Sequence, residues 1–154
     1  MSIESRLSEL GLSLPDAPPP AANYVPYVRS GSMLHTAGQI PLDTDGKLIR
    51  GRLGDGFSTE QGYEAARRCA LAILAQVKAA AGSLDAVAQI VKLNVFVASH
   101  PDFGDQPEVA NGASDLMAEI FGEAGRHARS AVGVAVLPRG VAVEIDAIIA
   151  LKDG

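Results

Sequence analysis

The stretch VAVEIDAIIAL at residues 141–151 decides the fold, because it predicts a strand that needs cover on both faces. Side chains alternate along a strand, so the apolar odd-numbered positions from Val141 to Leu151 form one face. The other face carries Glu144 and Asp146 among three apolar residues. Two carboxylates there are costly unless a cation pairs with them or one is held protonated as a general acid or base. The alternative is a solvated edge face.

Working outward from this strand, the hydrophobic pattern predicts two long helices, a short one and four more strands. Ser58 begins the first long helix as the N-cap of a capping box with Gln61, and Gly82 ends it. The other segments are a short helix at 3–10, a helix at 107–121 and strands at 24–28, 32–37, 90–98 and 131–137, with a loop or long hairpin at 42–57. This order predicts an α+β fold, with a single mixed sheet and two helices packed on one face.

Two helices cover only one face of such a sheet, so we expect another subunit to cover the second apolar face. The run Pro138-Arg139-Gly140 predicts a hairpin between the last two strands. In that register Glu144 lies opposite Val134, and Arg129 lies about 16 Å further along at 3.3 Å per residue. If Arg129 and Glu144 cooperate, a neighbouring subunit must bring one to the other.

Length and composition limit the classes of protein that remain. A chain of 154 residues is long enough for one domain, which we place at 23–154. Residues 1–22 form an N-terminal arm with one short helix. The Pro15–Pro20 run of this arm is expected to be extended. A net charge of −5 argues against nucleic-acid binding, and the single Cys69 excludes an internal disulfide or a cysteine-cluster zinc site. Neither a signal peptide nor a membrane span is recognisable, so a cytoplasmic location is expected.

Arg129 is the first candidate for binding chemistry. It stands at the mouth of a predicted strand among small residues, where a guanidinium can offer a planar fork to a carboxylate. The alternative is a solvated surface arginine. The three histidines, His35, His100 and His127, lack metal-ligand spacing and are expected to be structural, although His127 lies beside Arg129.

Four motifs together resemble the Rid/YjgF family, the reactive intermediate deaminases that are also called endoribonuclease L-PSP proteins. They are PYV at 26–28, TAGQIP at 36–41, RSAVGVAVLP at 129–138 and VEIDAIIA at 143–150. The resemblance spans about residues 23–151. It implies a chorismate-mutase-like fold and a homotrimer with pockets between subunits. It also implies hydrolysis of reactive enamines and imines to 2-keto acids and ammonia, without a metal or organic cofactor.

The same resemblance implies roles for five residues of this chain. Arg129 would clamp the carboxylate of a small substrate, and Glu144 would orient or activate the attacking water. Tyr27, Gly38 and Asn111 would complete the pocket, as a wall, a close backbone contact and a polar contact. The partners implied are a small carboxylate-bearing molecule and other copies of the chain, with no nucleic acid and no membrane.

Three departures from the family pattern indicate a divergent branch: a longer arm, an enlarged loop at 42–57, and one extra residue between Asn111 and Arg129. Two alternative functions therefore stay open. One is a non-catalytic, carboxylate-binding trimer with a regulatory role. The other is an endoribonuclease, against which the acidic charge and the absence of a basic, aromatic-rich stripe count.

Overall fold

The computed structural model describes residues 1–17 and 22–153, so part of the Pro15–Pro20 run lies outside the described residues. The helices are α1 (Ile3–Glu9), α2 (Thr59–Ala81) and α3 (Gln106–Phe121), and the strands are β1 (Tyr27–Ser30), β2 (Met33–Thr36), β3 (Val87–Ala98), β4 (Ala128–Val134) and β5 (Val143–Leu151). The predicted α+β class and the single mixed sheet are confirmed. Among the described residues, no helix has both the length and the hydropathy needed to cross a membrane.

The strand order is β1-β2-β5-β3-β4, and β3 and β4 form the parallel pair. The predicted hairpin between the last two strands is therefore wrong, because β3 lies between β4 and β5. Helix α3 connects β3 to β4, and two adjacent strands that are joined by such a crossover helix run parallel. Residues Pro138–Gly140 form a 3-10 turn with Arg139 at a positive φ of 61°, and this turn carries the chain past β3 into β5.

Two strand boundaries differ from the prediction in ways that matter for the site. Pro26 comes directly before β1, which is an edge strand as its proline predicts, while Tyr24 and Val25 lie outside the strand and are exposed. Strand β4 begins at Ala128, three residues earlier than predicted. Arg129 is therefore the second residue of β4.

Helix α2 begins and ends where its terminal residues dictate. The Ser58 Oγ accepts a hydrogen bond from the Gln61 backbone N–H at 3.1 Å, and the Gln61 Oε1 accepts one from the Ser58 N–H at 2.8 Å. Gly82 ends the helix at a φ of 85°, which few other residues adopt without strain. Helix α3 packs against α2 at Gly112, where an added Cβ would overlap the Tyr63 carbonyl oxygen.

The two faces of the sheet differ in burial. The helices cover the face that carries Val143, Ile145, Ala147 and Ile149, all fully buried. The side chains of the opposite, helix-free face are half-buried or exposed: His35, Phe96, Val132, Glu144, Asp146 and Ile148. The expectation that another subunit covers this face stays a prediction.

The arm is tied into the fold by its short helix. Leu7 of α1 is only 4% exposed and belongs to the main core. The Leu84 N–H donates to the Glu4 carboxylate at 2.9 Å, and the Arg6 Nε donates to the Glu119 carbonyl at 2.6 Å. Helix α1 thus fastens the chain start to the ends of both long helices.

Candidate functional site

Arg129 is held in place by α3. Its Nη1 donates to the Asn111 Oδ1 at 2.8 Å and to the Ser114 Oγ at 3.1 Å. Its register partner on β3 is Leu93, a buried residue of the helix-covered face, and the Arg129 side chain accordingly reaches toward α3. The Nε and Nη2 atoms of Arg129 have no hydrogen-bond partner within the described ranges. These two atoms can donate to both oxygens of a ligand carboxylate.

A hydrogen-bonded chain continues from Arg129 to His127. The Ser114 Oγ lies 2.8 Å from the His127 Nε2, and the His127 Nδ1 lies 2.7 Å from the Gly125 carbonyl. A carbonyl only accepts, so Nδ1 carries a proton. In the neutral ring Nε2 then accepts from the Ser114 hydroxyl, whose oxygen accepts from Arg129. The neutral imidazole therefore supports the orientation of the arginine.

Burial is the main reason why the pKa of His127 is lowered from its ordinary value. The positive charge of Arg129 lowers this pKa further, while the hydrogen bond to Gly125 opposes the change. The lowered pKa favours the neutral ring, in which Nδ1 donates to the Gly125 carbonyl and Nε2 accepts from the Ser114 hydroxyl.

Glu144 lies on the helix-free face, near the start of β5. Burial raises the pKa of its carboxyl, and the negative charge of Asp146 raises it further. The Asp146 Oδ1 itself accepts a hydrogen bond from the Asn94 amide at 2.6 Å. A carboxylate whose pKa is raised can take a proton from water and return it, which is the behaviour of a general base and acid.

Gly38 lets Glu144 occupy its position. A Cβ at Gly38 would stand 2.7 Å from the Glu144 Oε2, well inside van der Waals contact. Both residues line a cavity of about 460 Å³, together with the arm residues Pro15 and Asp16 and with Gln76 of α2. The cavity is therefore bounded by the arm, α2 and the start of β5.

Arg129 and Glu144 do not meet within one chain. Along β3 their register partners are Leu93 and Phe96, and the two residues lie on strands at either side of β3. Three residues along the strand and two strand spacings correspond to a separation of about 14 Å. The side chains also point to opposite faces, since Leu93 is buried under the helices and Phe96 is on the other face.

The structure brings some predicted site residues together and not others. Asn111 contacts Arg129, and Gly38 contacts Glu144. The residues that line the cavity include Tyr24 and Pro26, whereas Tyr27 packs against the main core. No three His, Cys, Asp or Glu side chains of residues 1–17 and 22–153 converge in the way that metal ligands do.

Sequence reasoning missed Ser114, which links Arg129 to His127. It stands three residues after Asn111 on α3, and residues three apart share a helix face. Had Asn111 been placed on that helix face, this spacing would have indicated Ser114. Gln76 and Arg68, which also line the cavity, gave no signal beyond being polar residues on a largely apolar helix.

Comparisons with known proteins identify the family to which this fold belongs. Residues 4–147 match a family model described as "YjgF/chorismate_mutase-like, putative endoribonuclease". The chain belongs to this family. The match begins inside α1 and ends inside β5.

Similar members of the Rid/YjgF family have been described from several organisms. The protein TCP17 of Trypanosoma cruzi is 52% identical over 98% of this chain and 95% of that protein. The crystal structure of Atu1372 from Agrobacterium tumefaciens, a protein with unknown function, has a TM-score of 0.90 at 48% identity, covering 98% of this chain and 94% of that one. A 2-iminobutanoate/2-iminopropanoate deaminase of Dermatophagoides farinae is 29% identical over 92% of this chain and 95% of that protein.

Proposed function

We propose that this protein hydrolyses small enamines and imines of amino acids to 2-keto acids and ammonia, without a metal or organic cofactor. The observation that carries the proposal is the state of Arg129, which Asn111 and Ser114 hold through one nitrogen while two others stay free among the described residues. Such a fork is suited to the carboxylate of an imino acid. The family also includes a relative named as an imine deaminase.

Glu144 supplies the acid–base chemistry in this proposal. Water adds to the imine carbon while Glu144 accepts a proton from it, and the C=N bond becomes a C–N single bond. Glu144 then returns the proton to the nitrogen, which gives a carbon that bears a hydroxyl and an amino group. The hydroxyl proton moves to the nitrogen, the C–N bond breaks, ammonia leaves and the C=O bond of the 2-keto acid forms. The raised pKa of the Glu144 carboxyl makes it a stronger proton acceptor than an ordinary glutamate, which favours the first proton transfer.

We further propose that the active unit is a homotrimer in which one subunit contributes Arg129 and its neighbour contributes Glu144. Two observations support this arrangement. The two side chains lie on opposite faces within one chain, and the helix-free face carries half-buried apolar residues such as Phe96 and Ile148. A cyclic trimer repeats the same contact three times and so forms three equal pockets.

The first test measures release of the 2-keto acid from 2-aminoacrylate generated in situ by a pyridoxal-phosphate lyase. We expect Arg129→Ala to lower kcat/KM by about 10²–10³-fold, because an oriented charge at the reacting molecule is lost. Arg126→Ala is the matched control, since Arg126 is exposed and its one ion pair among the described residues is with Glu123. Wild-type activity in Arg129→Ala would overturn the proposal. If a small carboxylate raises the unfolding temperature of the wild type but is never converted to product, the protein is a binding protein and not an enzyme for that compound.

The second test asks whether the two residues come from different subunits. Arg129→Ala and Glu144→Gln chains are unfolded together in equal amounts and refolded. If each pocket takes Arg129 from one subunit and Glu144 from its neighbour, each native residue is present with a chance of about one half. About a quarter of the pockets then contain both native residues, and we expect about a quarter of the wild-type activity. Hybrids as inactive as the parents would refute the shared pocket, and light scattering at a mass other than three chains would refute the trimer.

A further inference from the structure

His127 and Arg129 are two basic side chains that share one hydroxyl group. The His127 Nε2 lies 2.8 Å from the Ser114 Oγ, and the Arg129 Nη1 donates to the same oxygen at 3.1 Å. The two nitrogens are therefore no more than 5.9 Å apart, which is the total of these two lengths. Both residues are half-buried, so water screens their charges only in part. A second proton on the His127 ring places two positive charges side by side.

The other charged groups on the elements around His127 have partners of their own or lie apart from it. The partnered ones are Glu123 with Arg126 in the turn before it, and Asp115 with Tyr63 and Glu119 with Arg67 on α3. Lys92 of β3 lies on the helix-free face, and Glu108 is exposed at the start of α3. Burial lowers the pKa of His127 most, and the charge that lowers it further is that of Arg129. The protonation of His127 therefore responds to whatever neutralises Arg129.

We propose that binding of a carboxylate to Arg129 is coupled to protonation of His127, so that the ligand is held more tightly in mildly acidic than in neutral solution. This coupling rests on the proposed role of Arg129 as a carboxylate fork. A bound carboxylate neutralises the guanidinium and so removes the repulsion that opposes a proton on the imidazole. Because coupling between two binding sites is reciprocal, a proton on His127 also strengthens carboxylate binding.

Ser114 can adapt to this change while it keeps Arg129 in place. In the neutral ring the hydroxyl hydrogen points to the His127 Nε2, whereas a protonated Nε2 donates to the hydroxyl oxygen. The hydroxyl hydrogen can then turn to the Ala110 carbonyl one helical turn earlier, an acceptor that serines use in helices. The oxygen still accepts from the Arg129 Nη1, since a hydroxyl oxygen has two lone pairs. His127 is therefore a positioning residue whose charge follows the occupancy of Arg129.

The test measures pyruvate binding and the titration of the His127 ring by NMR on the full-length protein. Pyruvate is the 2-keto acid expected from 2-aminoacrylate, and it stays ionised over the whole pH range used. We expect its dissociation constant to be about two- to fivefold lower at about pH 5.5 than at about pH 7.5, and the pKa of His127 to rise when pyruvate is bound. An affinity that does not change with pH, an unshifted His127 titration, or no pyruvate binding up to about 50 mM would overturn the proposal.

Variants assign the pH dependence to one group. His127→Gln should bind pyruvate equally at both pH values, because the new amide can accept from Ser114 and does not titrate. His100→Gln is the matched control, since His100 is exposed in the loop after β3 and its Nδ1 accepts from the Asp102 N–H; it should keep the wild-type pH dependence. Glu144→Gln should keep most of it, and its loss there would assign the effect to that carboxyl and overturn the proposal.

A measurement without ligand guards against variants that do not fold. In Arg129→Gln the guanidinium charge is absent, so the pKa of His127 should rise from its wild-type value; an unchanged pKa would overturn the coupling. Binding is measured here and not turnover. A pH-independent affinity with normal release of the 2-keto acid would overturn the coupling alone, whereas coupled binding without turnover would overturn only the proposed deaminase activity.

Discussion

Replacing Gly38 by alanine tests whether the position of the Glu144 carboxylate determines activity. The backbone of Gly38 is not in the left-handed region, so alanine fits the main chain without strain. The new Cβ would stand 2.7 Å from the Glu144 Oε2 and 2.9 Å from its Cδ, where ordinary contacts begin at 3.4 Å. The carboxylate must therefore retreat by at least 0.7 Å, the difference between 3.4 and 2.7 Å.

A displacement of this size is large for catalysis and small for stability. Misplacing a catalytic group by about 1 Å can cost about 10²-fold in rate, so we expect kcat/KM of Gly38→Ala to fall by about 30- to 100-fold. The group that moves is the end of a flexible, half-buried side chain, so the free energy of unfolding should change by less than about 1 kcal/mol.

The assay pairs initial rates of 2-keto acid release with urea unfolding at one protein concentration. Gly104→Ala is the matched control, because no atom lies within 4 Å of its added Cβ and its φ is not positive. It should match the wild type in both measurements. Activity of Gly38→Ala within about twofold of wild type would refute the link between carboxylate position and rate, because it falls far short of the loss expected from such a displacement.

Three further outcomes follow from the same structure. Gly112→Ala should lower the free energy of unfolding by about 2–4 kcal/mol in urea titrations, because its Cβ overlaps the rigid Tyr63 carbonyl; an unchanged midpoint would contradict this packing. The lowered pKa of His127 means that the unfolded chain binds more protons below about pH 6.5, so stability should fall as the pH drops from 7.5 to 5.5, and His127→Gln should reduce that slope. Cys69 should react with a thiol reagent only in denaturant, since burial raises the pKa of its thiol well above the usual value; rapid labelling of the folded protein would show that the site is open.

Local sequence signals predicted the elements well and the order of the strands poorly. Ser58, Gln61 and Gly82 set the ends of α2 through their own hydrogen bonds and backbone angles, which act over a few residues. The pairing of β5 with β3 is a contact between segments about 50 residues apart, and no local pattern encodes it. The run Pro138–Gly140 has the composition of a hairpin turn, yet the strand–helix–strand order of β3, α3 and β4 determines which strands pair.

The candidate site also has features that the local sequence predicted and features that depend on distant contacts. The motif around Arg129 and Glu144 was recognisable in the sequence, and so was the separation of the two residues within one chain. The reason first given for their separation was wrong, because it used the hairpin register; the actual reason is that they flank β3 on opposite faces. Gln76 could not be singled out, since a glutamine on a helix is usually solvated and only the packing shows that this one is buried.

The helix-free face and the two edge strands have a consequence for the isolated chain. Strands β1 and β4 end the sheet, and Val28 and Val132 are both exposed. Unpaired strand edges beside exposed valines are templates for fibril growth. An isolated chain therefore carries an aggregation hazard, and the proposed trimer would protect solubility as well as form pockets. Mutations that weaken subunit contacts should then appear first as turbidity, before any loss of secondary structure.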